Sequence, residues 1–196
     1  MAPSKSSKGG PSKAGLSNKV RIIGGEWRSR VLTFPDAEGL RPTADRVRET
    51  VFNWLGQTLE GKTCLDLFAG SGALGLEALS RYARHVTLVE KNVRVHAALK
   101  ENAAKLGAQN LTVVCADGLS WLKQNGGVYD VIFLDPPFAA DLLPKAWPLL
   151  AERLAPEGAV YLESGAPLTV PEGWTLWRSG RAGVVYYGLA KKESHA

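Results

Sequence analysis

From residue 63 onward the chain alternates between two hydrophobic periods. Short apolar runs of strand length cover 63–68, 85–90, 111–115, 129–135 and 158–163, and segments of helical character fill 73–82, 93–106, 119–123 and 142–154. Runs with few polar interruptions read as strands buried on both faces, as in a parallel sheet clad by helices. Repeated βα units predict an α/β fold with a doubly wound, mostly parallel sheet. The rhythm breaks after Trp174, where two strand-like runs flank 179–183, and an antiparallel C-terminal hairpin closing the sheet edge is expected.

Upstream, residues 20–32 read as two short strands around Gly24-Gly25, a small hairpin. Residues 39–55 follow with Val47, Val51, Phe52 and Leu55 at helical spacing, an apolar stripe able to pack on the main domain. Thr43 is the expected N-cap, and Arg41, Arg46 and Arg48 are expected beside the stripe. Residues 1–18 contain Ser, Lys, Gly and Pro with no acidic residue and almost nothing to bury, so they are expected to form a disordered basic tail. Three regions follow: the tail (1–18), a hairpin-plus-helix extension (19–59) and a catalytic domain (60–196).

Composition narrows the class. The net charge is +5, and it is unevenly placed: the first fifty residues hold ten Lys/Arg against five Asp/Glu, while the rest holds fourteen of each. A basic segment on a charge-balanced body points to a polyanion partner, nucleic acid being the commonest. No apolar run reaches the roughly 18 residues of a membrane span, and the N-terminus has no secretory apolar core. A cytoplasmic protein without a membrane role, monomeric by default, is expected. Cys64 and Cys115 read as buried, reduced thiols, and no His/Cys cluster has zinc-like spacing.

The chemistry is concentrated at strand ends, where open α/β sheets bind ligands. The first strand runs into Asp66-Leu-Phe68-Ala69-Gly70-Ser71-Gly72, a glycine loop that opens a helix. Gly70 to Gly75 matches G-x-G-x-x-G, which makes a dinucleotide the first suspect. The next strands end at Glu90-Lys91, at Ala116-Asp117-Gly118 and at Asp135-Pro136-Pro137-Phe138. Glu90 lies 24 positions beyond Asp66, near the spacing at which a carboxylate meets ribose hydroxyls. Asp117 is placed to accept from an adenine amino group, and Asp66 to hold the loop backbone or a cationic amine. So acidic a cup suits a cationic ligand better than a pyrophosphate. Two prolines fix the backbone after Asp135, so its carboxylate and the Pro136 carbonyl can form two close acceptors for the hydrogens of an exocyclic amine. Phe138 offers a face for a base.

Taken in order, these motifs resemble the class I S-adenosylmethionine-dependent methyltransferases that act on amino groups. The block from Arg21-Ile-Ile-Gly-Gly-Glu-Trp-Arg-Ser-Arg30 through Gly39-Leu-Arg-Pro-Thr-Ala-Asp-Arg-Val-Arg48 narrows the resemblance to the bacterial 16S rRNA guanine-N2 methyltransferase family. It implies a Rossmann-like methyltransferase domain, S-adenosyl-L-methionine as cofactor, and as substrate a guanine of 16S rRNA in the small ribosomal subunit or its assembly intermediate. It implies cofactor contacts by Asp66, Phe68 to Gly72, Glu90, Lys91, Asp117 and Gly118, and catalysis by Asp135, Pro136, Pro137 and Phe138. Arg28, Arg30, Arg41, Thr43, Arg46 and Arg48 would face RNA. The family commonly has Thr-Thr-Asp where this chain has Thr43-Ala44-Asp45.

Rival readings are less complete. A DNA adenine- or cytosine-amino methyltransferase uses similar Asp-Pro-Pro-aromatic chemistry, but there is little room for a DNA-target domain. A glutamine-N5 methyltransferase more often carries Asn at the position of Asp135. An NAD-dependent dehydrogenase leaves residues 135–138 unexplained, and a non-enzymatic RNA-binding protein leaves the acidic strand ends unexplained. Residues 177–181 fit either an RNA contact or a plain edge hairpin.

Overall fold

The computed structural model describes residues 18–138 and 141–193. Residues 1–17, which hold nearly all of the expected disordered tail, lie outside the described residues. Among the described residues, nine strands and five helices follow in chain order: β1 (Asn18–Arg21), β2 (Val31–Phe34), α1 (Asp45–Leu55), β3 (Thr63–Asp66), α2 (Ala73–Ser80), β4 (His85–Glu90), α3 (Val93–Leu106), β5 (Leu111–Cys115), α4 (Gly118–Gln124), β6 (Tyr129–Leu134), α5 (Leu143–Leu150), β7 (Leu154–Ser164), β8 (Trp174–Ala182) and β9 (Val185–Lys192). The main sheet has the order β5-β4-β3-β6-β7-β9-β8. Strands β3 to β7 are parallel, and β9 runs antiparallel between β7 and β8. The strand order reverses between β3 and β6, which places a ligand crevice at their C-terminal ends.

Alternation along each central strand builds two cores. Cys64, Val131, Phe133, Ala159 and Tyr161 point to one face, where they meet the N-terminal hairpin, α1, α2 and α3. Leu65, Ile132, Leu134, Val160 and Leu162 point to the other and pack on α4 and α5. The strands are apolar throughout because both faces are covered. Val20, Ile22, Trp27, Leu32 and Phe34 belong to the first core, so the N-terminal extension is packed into the main body.

Several local expectations change. The N-terminal hairpin forms, with β1 antiparallel to β2, but Gly24-Gly25 is no tight turn; residues 22–30 make a longer loop. The glycines are there for close approach: a Cβ on Gly25, at φ +78°, would sit 1.9 Å from the Ser80 carbonyl oxygen. The helix expected over 142–154 stops at Leu150, and β7 starts at Leu154 and pairs there with Tyr129. The C-terminal turn is Gly183-Val184 rather than 179–183, because β8 stays paired as far as Ala182 opposite Val185. Cys64 is buried, but Cys115 is exposed, since β5 is the edge of the sheet.

Thr43 does not cap α1. The N-cap is Ala44, at φ −57° and ψ 146°, and no side chain bonds the first-turn N–H groups. The helix is closed at its other end by Gly56 in the left-handed conformation. Ala44→Thr places a hydroxyl at this N-cap. It is expected to stabilise the protein by about 1 kcal/mol, read from urea denaturation of the two proteins at equal slope.

Candidate active site

A cavity of about 510 Å³ opens over the C-terminal ends of β3, β4 and β6 and is lined from four directions. The glycine loop after β3 forms its floor. Glu90, Lys91, Asp117 and Gly118 form one flank, and Asp135 to Phe138 with Glu163 form the other. Residues 37–43, the connection from β2 to α1, form the remaining wall.

On the first flank, Asp66 is buried beneath the loop. One carboxylate oxygen accepts from Gly75 N–H at 3.0 Å. The other, Oδ1, is buried with no partner among the described residues. Burial raises its pKa to about 7, with the hydrogen bond from Gly75 pulling the other way. A buried acceptor without a donor is costly, and a cationic amine supplies the missing one. Glu90 accepts from Gly70 N–H at 2.9 Å and from Asn92 N–H at 2.7 Å, so it shapes the loop and keeps lone pairs for a ligand's hydroxyls. Asp117 caps α4 by accepting from Ser120 N–H at 2.9 Å, and that bond is the main cause holding its pKa below the usual carboxylate value. Gly118 must be small, because a Cβ there would lie 2.5 Å from the Leu67 carbonyl oxygen. Phe68 and Ala69 line the cavity beside them. Ser71 is buried, and its hydroxyl accepts from Ala73 N–H at 3.3 Å at the start of α2. Together this flank fits a ligand with a cationic amine, vicinal hydroxyls and an adenine.

On the second flank, Asp135 Oδ2 accepts from the Thr43 hydroxyl at 3.1 Å. The same hydroxyl lies 3.2 Å from Glu163 Oε2, to which the Tyr161 hydroxyl donates at 2.7 Å. Burial and then the charge of Glu163 hold the Asp135 carboxyl well above its ordinary range, and Thr43 and Arg41 oppose them. Burial also raises the pKa of Glu163, against the donors Tyr161 and Thr43. Pro136 is buried, and Phe138 stays 43% exposed at the cavity mouth.

The family profile for Conserved hypothetical protein 95 matches residues 20–191. Ribosomal RNA small subunit methyltransferase D of Escherichia coli strain K12 is 50% identical over 184 residues, covering 91% of this chain and 92% of that protein. The protein of the same description from Haemophilus influenzae is 46% identical over 179 residues, covering 87% and 93%. The chain belongs to this methyltransferase family. The solved structure of yhhF from Escherichia coli agrees, with 48% sequence identity and a TM-score of 0.81 over 91% of this chain and 100% of that one.

Within this family site, the structure sorts the residues singled out from sequence. Every expected cofactor residue lines the cavity except Gly72, whose missing Cβ faces Leu99 and Leu76 in the core. Asp135 to Phe138 lie together, as expected, and Arg41 and Thr43 join them. Thr43 is buried against the carboxylates rather than turned toward an RNA surface. Arg46 is exposed on α1. Arg48 is the clear correction: it is fully buried, bonded to Asp45, Glu77 and the Thr43 carbonyl, and cannot reach RNA. Arg28 and Arg30 sit away from the cavity. Arg28 lies in a shallow cleft beside Arg81, at the far end of α2, and Arg30 donates to the Lys105 carbonyl at the far end of α3.

Two groups escaped the sequence reading. Glu163 is at the end of the fifth parallel strand, so the rule that marked the other acidic strand ends would have found it. Ala37 and Glu38 gave no motif signal, and Gly39 and Leu40 entered only as part of the family block with no site role; yet a Cβ on Gly70 would strike Leu40 Cδ1 at 2.7 Å, so the wall and the loop are closely fitted.

The raised pKa of Asp66 has a defined effect on stability. Its folded pKa, about 7, exceeds the unfolded one, so the folded state keeps a proton that the unfolded state loses. Its contribution is therefore level below about pH 4, falls as pH rises toward 7, and is level again above. Asp66→Asn removes this decline. The expected difference curve, from thermal unfolding of both proteins without cofactor, slopes between those limits and is flat outside them.

Proposed function

We propose that this chain transfers a methyl group from S-adenosylmethionine to the exocyclic N2 of a guanine in 16S rRNA of the small ribosomal subunit. The observation that carries it is the joining of two flanks in one cavity: an acidic cup with an unpartnered buried Asp66 oxygen, and the Asp135-Pro-Pro-Phe138 corner beside it. The relatives named as small-subunit rRNA methyltransferases share about half of the sequence over nearly its whole length. The reading takes the chain as a cytoplasmic monomer acting on the small subunit or its assembly intermediate. Among the described residues no helix is long and apolar enough to cross a membrane.

When bound, the cofactor supplies an electrophilic methyl group. The chain's residues do the rest by placement. Asp66 meets the cationic amine, Glu90 the ribose hydroxyls, and Asp117 the adenine amino group. The Asp135 carboxylate and the Pro136 carbonyl accept the two hydrogens of the guanine amine, which aims its nitrogen lone pair across the cavity. Phe138 stacks on the base once it has left its own stack, a displacement costing a few kcal/mol. Arg41 and Arg46, exposed at the rim and on α1, hold phosphates and offset that cost.

A DNA amino-group methyltransferase would use the same corner, so substrate class needs a direct test. Labelled S-adenosylmethionine offered with intact small subunits, free rRNA and duplex DNA is expected to label rRNA; transfer to DNA alone refutes the reading. Asp135→Ala is expected to lower methyl transfer by about 100-fold or more while cofactor affinity, measured by calorimetry, changes little. Near-normal transfer by this variant removes Asp135 from the acceptor role. Arg46→Ala is expected to weaken RNA binding uniformly and to lower the slope of log affinity against log salt by about 1. An unchanged slope would place this arginine outside the interface.

A further inference from the structure

The Thr43 hydroxyl stands between two carboxylates, 3.1 Å from Asp135 Oδ2 and 3.2 Å from Glu163 Oε2. A hydroxyl has one hydrogen to give and lone pairs to receive. It can therefore donate to only one carboxylate. The second contact is attractive only if that carboxyl bears a proton and donates back to the hydroxyl oxygen. One proton on the pair satisfies both contacts in either sense: Asp135 donating to Thr43 and Thr43 to Glu163, or Glu163 donating to Thr43 and Thr43 to Asp135. Two ionised groups would leave like charges facing each other in a buried place.

The surroundings favour this arrangement. Tyr161 donates to Glu163 and supports negative charge there. Arg41, from the wall loop, is the cation that faces both carboxyls, and Asp66, from β3, adds negative charge near Asp135. Tyr187 of β9 faces Tyr161. Glu163 and Asp135 both line the cavity, and on the amino-methylation reading the target amine is held at the Asp135 corner.

We propose that Asp135 and Glu163 hold one proton between them across the Thr43 hydroxyl, and that Glu163 thereby sets the pH at which Asp135 can accept hydrogen from the target amine. The proposal rests on the amino-methylation reading. In the transfer itself, the nitrogen–carbon bond forms as the carbon–sulfur bond breaks, with its electron pair left on sulfur. The nitrogen, now positively charged, loses one N–H proton to the ionised Asp135 carboxylate, and that proton leaves the pair for water at the cavity mouth. Glu163 touches neither reacting atom; it is a positioning residue that acts through Thr43.

Two substitutions move the system in opposite directions. In Glu163→Gln the neighbouring negative charge is gone, while the amide still donates to Thr43, so Asp135 ionises more easily. In Thr43→Val the shape is kept but the donor that favours charge on Asp135 is lost. The measurement is kcat against pH at saturating cofactor and small subunits. Relative to the wild type, the rising limb is expected to move down by about one pH unit in Glu163→Gln and up by a similar amount in Thr43→Val, with little change in KM for cofactor. Superimposable profiles, or two shifts of the same sign, overturn the proposal. Should Glu163→Gln fail to fold by circular dichroism, the upward shift of Thr43→Val decides alone. A wild-type enzyme that transfers no methyl to subunits instead defeats the functional reading.

Discussion

The fold depends on one buried carboxylate. Glu77, in the middle of α2, is fully excluded from solvent and accepts from Ile23 N–H at 2.8 Å, Gly24 N–H at 2.9 Å, Arg81 Nε at 2.8 Å and Arg48 Nη1 at 3.4 Å. A lone ionised carboxylate there would be prohibitive, but two guanidiniums and two backbone donors give it full compensation. Those donors come from three parts of the chain: the N-terminal loop, α1 and the end of α2 itself. Ser80 repeats the device one turn on, accepting from Trp27 N–H and donating to the Gly24 carbonyl. The extension is therefore bonded to the helix that follows the glycine loop.

That attachment reaches the chemistry. Arg48, held by Glu77, also donates from Nε to the Thr43 carbonyl at 3.1 Å and from Nη2 to Asp45 at 2.6 Å. The Thr43 backbone is thus fixed from the core side, and its hydroxyl is delivered to Asp135 and Glu163 on the other. Truncating one partner of such a buried network usually costs 3–5 kcal/mol, roughly, because the other charge is left unpaired. An arginine at this position therefore works through rigidity. It fixes where Thr43 stands, and Thr43 stands between the carboxyl groups of Asp135 and Glu163.

This explains what could be read from the sequence and what could not. The parallel sheet, the order of the strand ends and the Asp135–Phe138 corner were legible because they depend on local periods and on rules of α/β topology. Arg48 was misread because it follows Arg41 and Arg46 in one basic stretch, and charge alone does not say which arginine turns inward. Its partner Glu77 is 29 positions away on another helix, and no local pattern links them. Thr43 was misread for a related reason. It precedes an acidic residue and a helix, as capping residues do, but Ala44 takes the cap and Thr43 is drawn to carboxylates 92 and 120 positions distant.

The glycine motif shows how a matching pattern can mislead about the ligand. In a dinucleotide site the loop N–H groups are free to face a pyrophosphate. Here all three glycine N–H groups are already committed to the protein: Gly70 to Glu90 at 2.9 Å, Gly72 to the Ala69 carbonyl at 2.8 Å, and Gly75 to Asp66 at 3.0 Å. Two of those acceptors are carboxylates, which would repel a phosphate placed over the loop. The glycines answer steric demands instead. A Cβ at Gly75 would lie 2.2 Å from Leu88 Cδ2, and one at Gly72, whose φ is +79°, would strike Leu99 and Leu76. The spacing serves close packing of α2 on the sheet, and the carboxylates that the loop leaves facing the cavity select a cation.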